Sequence, residues 1–272
     1  MLHKRIYLDP TDERVYIDTY VTNTNFKKKD AMLVIPGGGY AAVCTAREGE
    51  PIALAYVAKG YNAFVLNYRV GNGDHFPSQL VDASRAIMYI RAHAEEFSIN
   101  PERVFAVGFS AGGHLAGALA TMYDDPAVRE ALGISGDENK PTGCVLSYPV
   151  VTANTDNTHK SSFEMLLGKK FDDITVDERV RFSLETRVTD NSAPLFVWHT
   201  AEDALVPAEG SLRLINEYVK RKIPVQAAIY PYGPHGLALA NDITTDGHAC
   251  IQPIAERWVA DSVEWMNTIK RG

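Results

Sequence analysis

Apolar residues in this chain fall into two kinds of segment, compact runs of five to seven and longer stretches with one apolar face. Arg14 to Val21 alternates as a half-buried strand does, with Val15, Ile17, Thr19 and Val21 on one face. Ala31–Ile35 and Ala63–Asn67 have no polar face, as strands covered on both sides require. Between them, Pro51–Lys59 reads as a helix ended by Gly60. Gln79–Phe97 reads as a longer helix, with Leu80, Ala83, Ile87, Ile90 and Ala94 near helical spacing. Asn100-Pro101-Glu102 reads as a turn, Arg103–Phe109 as a buried strand and Ala111–Tyr123 as a helix. The order continues with strands at Cys144–Tyr148 and Leu195–Thr200, a helix at Glu209–Arg221, a strand at Val225–Tyr230 and a closing helix at Ile251–Lys270.

Strands alternating with helices pair in parallel through right-handed crossovers. The predicted fold class is therefore α/β, a mostly parallel central sheet of about eight strands covered by helices on both faces. Residues 1–272 read as a single domain. The polar stretch 151–193 breaks the rhythm, with one helix predicted at Ser162–Leu167, and reads as a cap-like insertion over one end of the sheet. Ligands of such sheets bind at the carboxyl ends of the strands, so chemistry is sought in the loops there.

Charge narrows the partners. The net charge is -7, and the one basic run, Lys27-Lys28-Lys29, sits in a polar stretch. An acidic surface without a basic stripe repels phosphate backbones, so no nucleic-acid partner is expected. No run approaches the roughly 20 apolar residues that cross a bilayer, and the first ten residues lack a secretory apolar core. No membrane partner is expected, and the location expected is cytoplasmic. Cys44, Cys144 and Cys250 are too far apart and too few for a disulfide framework or a zinc cluster.

Gly108-Phe109-Ser110-Ala111-Gly112 matches G-x-S-x-G. The match gains weight from its place, directly after a buried strand and opening a helix, where a sharp turn projects a serine hydroxyl above the sheet. A serine nucleophile needs a base. His235, in Tyr232-Gly233-Pro234-His235-Gly236 after the last strand, is the candidate, with His248 the alternative; His114 reads as a packing residue and His159 as a surface or loop residue. The acid that orients the base is read as Asp203, after the strand Leu195–Thr200, with Glu202 as its neighbour and rival. Pro36-Gly37-Gly38-Gly39-Tyr40 follows another strand and offers bare backbone to an oxyanion, so Gly38, Gly39 and Ala111 are the candidate donors. No Lys-Ser or Lys-Thr follows those glycines, against a phosphate-binding loop. Singly, each feature has a simpler reading, such as a serine N-cap, a packing histidine or a glycine turn. Together, Ser110, Asp203 and His235 stand in the nucleophile–acid–base order of α/β-hydrolases, each after a strand.

These residues resemble the bacterial esterase/lipase branch of the α/β-hydrolases, above all its acetyl-esterase and acetylxylan-esterase-like members. The resemblance rests on PGGGY at 36–40, REGEP at 47–51, NYR at 67–69, GFSAGG at 108–113, SYP at 147–149, WHTAED at 198–203 and PHG at 234–236. Pro36 stands where lipases of the hormone-sensitive type usually carry histidine, which leaves the Tyr40 N–H as a further possible donor. The resemblance implies hydrolysis of short-acyl esters, acetyl groups on sugars or oligosaccharides among them, with no metal or organic cofactor. The partner implied is thus a small-molecule or oligosaccharide ester. Strand ends would bring Tyr40, Tyr148, Pro149 and His199 near the pocket, and Tyr40, Pro149 and His199 are the candidate substrate contacts. An arylformamidase, a peptidase-type amide hydrolase and a non-catalytic binding protein of the same fold are the rival functions.

Overall fold

A computed structural model describes residues 1–22, 27–71, 73–245 and 247–269. Eight strands form one sheet: β1 (Arg5–Tyr7), β2 (Tyr16–Tyr20), β3 (Lys29–Ile35), β4 (Asn62–Asn67), β5 (Ile99–Phe109), β6 (Cys144–Ser147), β7 (Leu195–Thr200) and β8 (Val225–Tyr230). Their spatial order is β1-β2-β4-β3-β5-β6-β7-β8. The pairs β1–β2 and β2–β4 are antiparallel, and every later pair is parallel.

Side-chain alternation divides the core into two layers. Leu33, Ala106, Leu146 and Val197 enter one layer, while Val34, Phe105, Val107, Val145, Phe196 and Trp198 enter the other. The first is covered by α3 (Ser78–Ala92), α4 (Ala111–Thr121) and α8 (Glu209–Arg221), through residues such as Ile87, Leu119 and Leu214. The second is covered by α2 (Glu50–Ala58) and α10 (Trp258–Thr268), through Ile52, Tyr56, Trp258 and Met266. The central parallel strands are buried on both faces and carry no polar face, whereas β8 at the edge is largely exposed, with Gln226, Ala227 and Ile229 at the surface.

Several boundaries differ from the pattern. The predicted helix Gln79–Phe97 stops at Ala92, and Ile99 N–H returns to the Ala94 carbonyl through a turn with Ser98 at φ 51°. Ala94 and Phe97 are nevertheless buried, so the apolar spacing continues although the helix does not. Asn100-Pro101-Glu102 lies within β5, yet as a bulge: Lys29 pairs with Ile99 and Ala31 with Val104, so residues 100–103 are looped out. Asn100 Oδ1 accepts the Glu102 N–H there, at 3.1 Å. The helix from Ala111 ends at Thr121. The closing helix is split into α9 (Pro253–Glu256) and α10, and Lys270 lies outside the described residues.

Three short helices escaped the pattern reading: α1 (Thr45–Glu48), α5 (Pro126–Leu132) and α7 (Val176–Phe182). The last two carry legible caps. Asp125 accepts the Ala127 N–H, Pro126 fills the first turn and Gly133 ends α5 in the left-handed conformation. Thr175 and Glu178 form a reciprocal capping box on α7.

Residues 151–193 hold α6 (Lys160–Leu167), α7 and two 3₁₀ turns. They dock on α4 and on the start of α3. Phe163 meets the His114 ring edge-on at 5.5 Å, and Phe182 meets Phe76 at 4.8 Å. No described helix is long and apolar enough to cross a membrane.

Candidate active site

Ser110 sits between β5 and α4 with φ 53° and ψ −118°. A non-glycine residue in this region costs on the order of 1–3 kcal/mol and persists only where its surroundings hold it. Here its N–H donates to the Ser147 carbonyl at 3.1 Å, and its own carbonyl accepts the N–H groups of Val150 and His114 at 3.0 Å each. Gly112 permits the close approach of α4 to β3, since a Cβ there would stand 2.3 Å from the Ile35 carbonyl oxygen.

The loops after β7 and β8 bring the other two residues to this turn. The Ser110 hydroxyl donates to His235 Nε2 at 2.9 Å, and His235 Nδ1–H donates to Asp203 Oδ2 at 2.6 Å. Asp203 Oδ1 accepts the N–H groups of Leu205 and Val206 at 3.0 and 2.8 Å. Burial would push the Asp203 carboxyl up, but hydrogen bonds from His199 and His235 hold it well below the usual carboxylate range. It is therefore a carboxylate, aimed at the one ring nitrogen that must carry a proton if the other is to accept from serine. Glu202 is spent elsewhere: it accepts the Gly233 N–H at 3.0 Å and braces the base loop. His248, the alternative base, lies in the 3₁₀ turn His248–Cys250.

The glycine loop after β3 lies against the serine. A Cβ on Gly37 would stand 2.6 Å from the Phe109 carbonyl oxygen and 3.0 Å from Ser110 Cβ, so only glycine allows this approach. Gly38, Gly39 and Tyr40 follow at φ 129°, 66° and 59°. Successive N–H groups in such a run form a concave, anion-accepting surface. Among the described residues no acceptor takes the N–H of Gly38, Gly39, Tyr40 or Ala111. Ala111 adds the positive end of α4.

The expected substrate contacts need correction. Tyr40 is buried, and its hydroxyl donates to His114 Nδ1 at 2.8 Å. Pro149 is buried against Gly113. His199 is fully buried behind Asp203: its Nε2 lies 2.8 Å from the Val206 carbonyl and 3.2 Å from Asp203 Oδ2, while Nδ1 accepts from Ser211 at 2.9 Å. A carbonyl only accepts, so Nε2 is the protonated nitrogen. Strand-end position put these three side chains near the site, but they point into its supporting layer.

His159, by contrast, reaches the site from the insertion. A Cβ on Gly39 would lie 3.8 Å from His159 Cε1. Burial and the nearby His235 both lower its pKa, which favours the neutral ring. Nothing in its sequence neighbourhood marks it, because only the return of the insertion onto the glycine loop brings it there. Among the described residues no group of three His, Cys, Asp or Glu could hold a metal ion.

The BD-FAE family model matches residues 17–218. Endo-1,4-beta-xylanase B of Butyrivibrio fibrisolvens is 42% identical over 220 residues, covering 79% of this chain and 33% of the relative. Acetylxylan esterase of Xylanibacter ruminicola is 29% identical over 210 residues, covering 76% and 40%. The chain thus spans a third to two fifths of the length of these two relatives. The solved structure of an acetyl ester-xyloside bifunctional hydrolase from Caldicellulosiruptor lactoaceticus superposes with a TM-score of 0.83 at 30% identity, covering 98% of this chain and 96% of that one.

Proposed function

The chain belongs to the BD-FAE family and has the α/β-hydrolase fold, and from that premise we propose that it is a carboxylic ester hydrolase that removes short acyl groups, acetyl above all, from sugars or xylo-oligosaccharides by way of Ser110, His235 and Asp203. The observation that carries the reading is the unbroken hydrogen-bond chain from the Ser110 hydroxyl through His235 to Asp203, at 2.9 and 2.6 Å.

Ser110 attacks the ester carbonyl as His235 Nε2 takes its proton, and Asp203 stabilises the imidazolium that forms. The carbonyl oxygen becomes an oxyanion, received by N–H groups of Gly38, Gly39 and Ala111. The imidazolium then protonates the departing alcohol, leaving an acyl-enzyme. Water, deprotonated by His235, attacks the acyl carbon, and Ser110 leaves with the returned proton.

In this reading the small acyl group lies on the side of His159 and the larger alcohol on the side of Arg47. His159 stands over the glycine loop on one side. On the other, Arg47 lies against Gly236 and opens onto a surface groove of about 530 Å³ lined by Cys44, Ala46, Ile243, Thr244 and Thr245. The acetylxylan esterase and the acetyl ester-xyloside hydrolase among the relatives point to the same ester class. Residues 151–193 act in this reading as a cap over the acyl side.

The test is hydrolysis of p-nitrophenyl esters from acetate to octanoate and of acetylated xylo-oligosaccharides, with Ser110→Ala alongside. The expected result is fastest turnover on acetate, release of acetate from the oligosaccharides, and a loss of about 10⁴-fold or more in the variant. Wild-type turnover by Ser110→Ala would overturn the assignment of the nucleophile. A preference for octanoate would overturn the acyl class.

A further inference from the structure

Glu48 lies outside the chain Ser110–His235–Asp203, yet it is 2% exposed and both its carboxylate oxygens are engaged. It is the last residue of the short helix α1. Oε2 accepts the Gly37 N–H at 2.8 Å, and Oε1 accepts the Tyr148 hydroxyl at 2.8 Å. The Tyr148 oxygen in turn accepts the Ala238 N–H at 2.9 Å, three residues beyond His235. The Tyr148 ring stands edge-on to the His235 ring at 5.1 Å. One carboxylate therefore grips two loops: the one that precedes the oxyanion donors directly, and the one that carries the base through a single phenol.

We infer that Glu48 is a positioning residue that fixes the orientation of the oxyanion loop relative to His235, acting on the first through Gly37 and on the second through Tyr148. The inference rests on the assignment of Ser110 and His235 given above. A carboxylate is an acceptor only, so it sets the direction of the Gly37 N–H. The planes that follow are held from their carbonyl side, by Cys44 N–H on the Gly37 carbonyl at 2.9 Å and by Ala41 and Ala42 N–H on the Gly38 carbonyl at 3.0 and 3.1 Å, so Glu48 anchors the start of a braced run. At the other oxygen, burial and the adjoining Glu48 carboxylate raise the Tyr148 phenol well above its ordinary pKa, so it keeps its proton and donates. Tyr148 and Ala238 both hold positive φ, 37° and 49°, conformations that need such pinning. Arg47 packs against the base loop, its Nη2 lying 2.8 Å from where a Cβ on Gly236 would stand.

The test uses Glu48→Gln, Tyr148→Phe and the double variant, with p-nitrophenyl acetate as substrate and a trifluoromethyl ketone as tetrahedral-state analogue. Tyr148→Phe should lower kcat about tenfold and Glu48→Gln about 10²-fold, with KM within about twofold of wild type. Affinity for the ketone should fall by the same factor as kcat/KM, which a general loss of stability would not produce. The double variant should lose less than the product of the two single losses, because both interrupt the shared Glu48–Tyr148 bond. A folded Glu48→Gln enzyme with wild-type kcat overturns the inference, as does a loss of kcat with ketone affinity unchanged. If Glu48→Gln does not fold, wild-type kcat in Tyr148→Phe overturns it. Ser110→Ala separates the two readings: activity retained there removes the site itself, whereas an inactive Ser110→Ala beside a wild-type Glu48→Gln removes only the clamp.

Discussion

The carboxyl edge of the sheet and the 151–193 insertion both face Ser110, but they are built by different means. At the sheet edge the backbone carries the constraint. Tyr40, Ser110, Tyr148, Ala238 and Ala240 all hold positive φ and are all buried. In the insertion the only residue at positive φ is Gly168, which ends α6, and order comes from helix caps together with apolar side chains such as Phe163, Leu166, Phe182 and Leu184 buried against the core. The difference separates two properties. Strain supported by a buried core holds reacting groups to fixed positions, whereas a capped, partly exposed segment shapes access and can vary without moving the chemistry.

The comparison breaks most sharply at the acid. Asp203→Asn should lower kcat about 10⁴-fold, because an amide no longer enforces the His235 tautomer. Glu202→Gln should leave kcat within a few fold, since its contact is with the Gly233 N–H. Steady-state kinetics on p-nitrophenyl acetate decide it, and the reverse ranking would reassign the acid.

A smaller effect tests the join between the two regions. His114 on α4 accepts from Tyr40 at the edge and donates from Nε2 to the Phe182 carbonyl in the insertion, at 2.9 Å. Burial lowers its pKa from 6.5 to about 4, with the Phe182 bond opposing. The unfolded chain therefore takes up a proton that the folded chain refuses as pH falls through this window. Stability contributed by His114 is complete above pH 6.5 and declines towards pH 4, by about 3 kcal/mol. Denaturant titrations across that range should show a shallower decline in His114→Gln; parallel curves would locate the acid sensitivity elsewhere.

The smallest effect sharpens the contrast. Thr175→Ala removes the α7 cap and should cost about 1 kcal/mol in denaturant stability while kcat on acetate stays at the wild-type value. A fall in kcat would mean that the insertion, too, sets the reacting geometry.

What was legible in the sequence follows the same division. The central sheet could be read because buried parallel strands have to be apolar throughout, and Ser110, Asp203 and His235 stood out as candidates because each lies in a turn or loop after a strand. The substrate contacts assigned to Tyr40, Pro149 and His199 misplaced side chains, because position at a strand end does not tell which way a side chain turns. His159 and Glu48 left no trace in periodicity. Their roles depend on which loops return to the site, a matter of tertiary path. The caps at Asp125 and Thr175, by contrast, were present in the sequence and local enough to be read.

One further feature lies just beneath the base loop. Trp198 stacks on Trp258 with ring centroids 5.3 Å apart and planes 23° apart, and the Trp258 indole N–H donates to the Ala238 carbonyl at 2.9 Å. Two indoles at that separation couple their electronic transitions, which gives the molecule a built-in optical gauge. Near-ultraviolet circular dichroism from this pair reports the seating of the segment that carries His235, without any label or substrate.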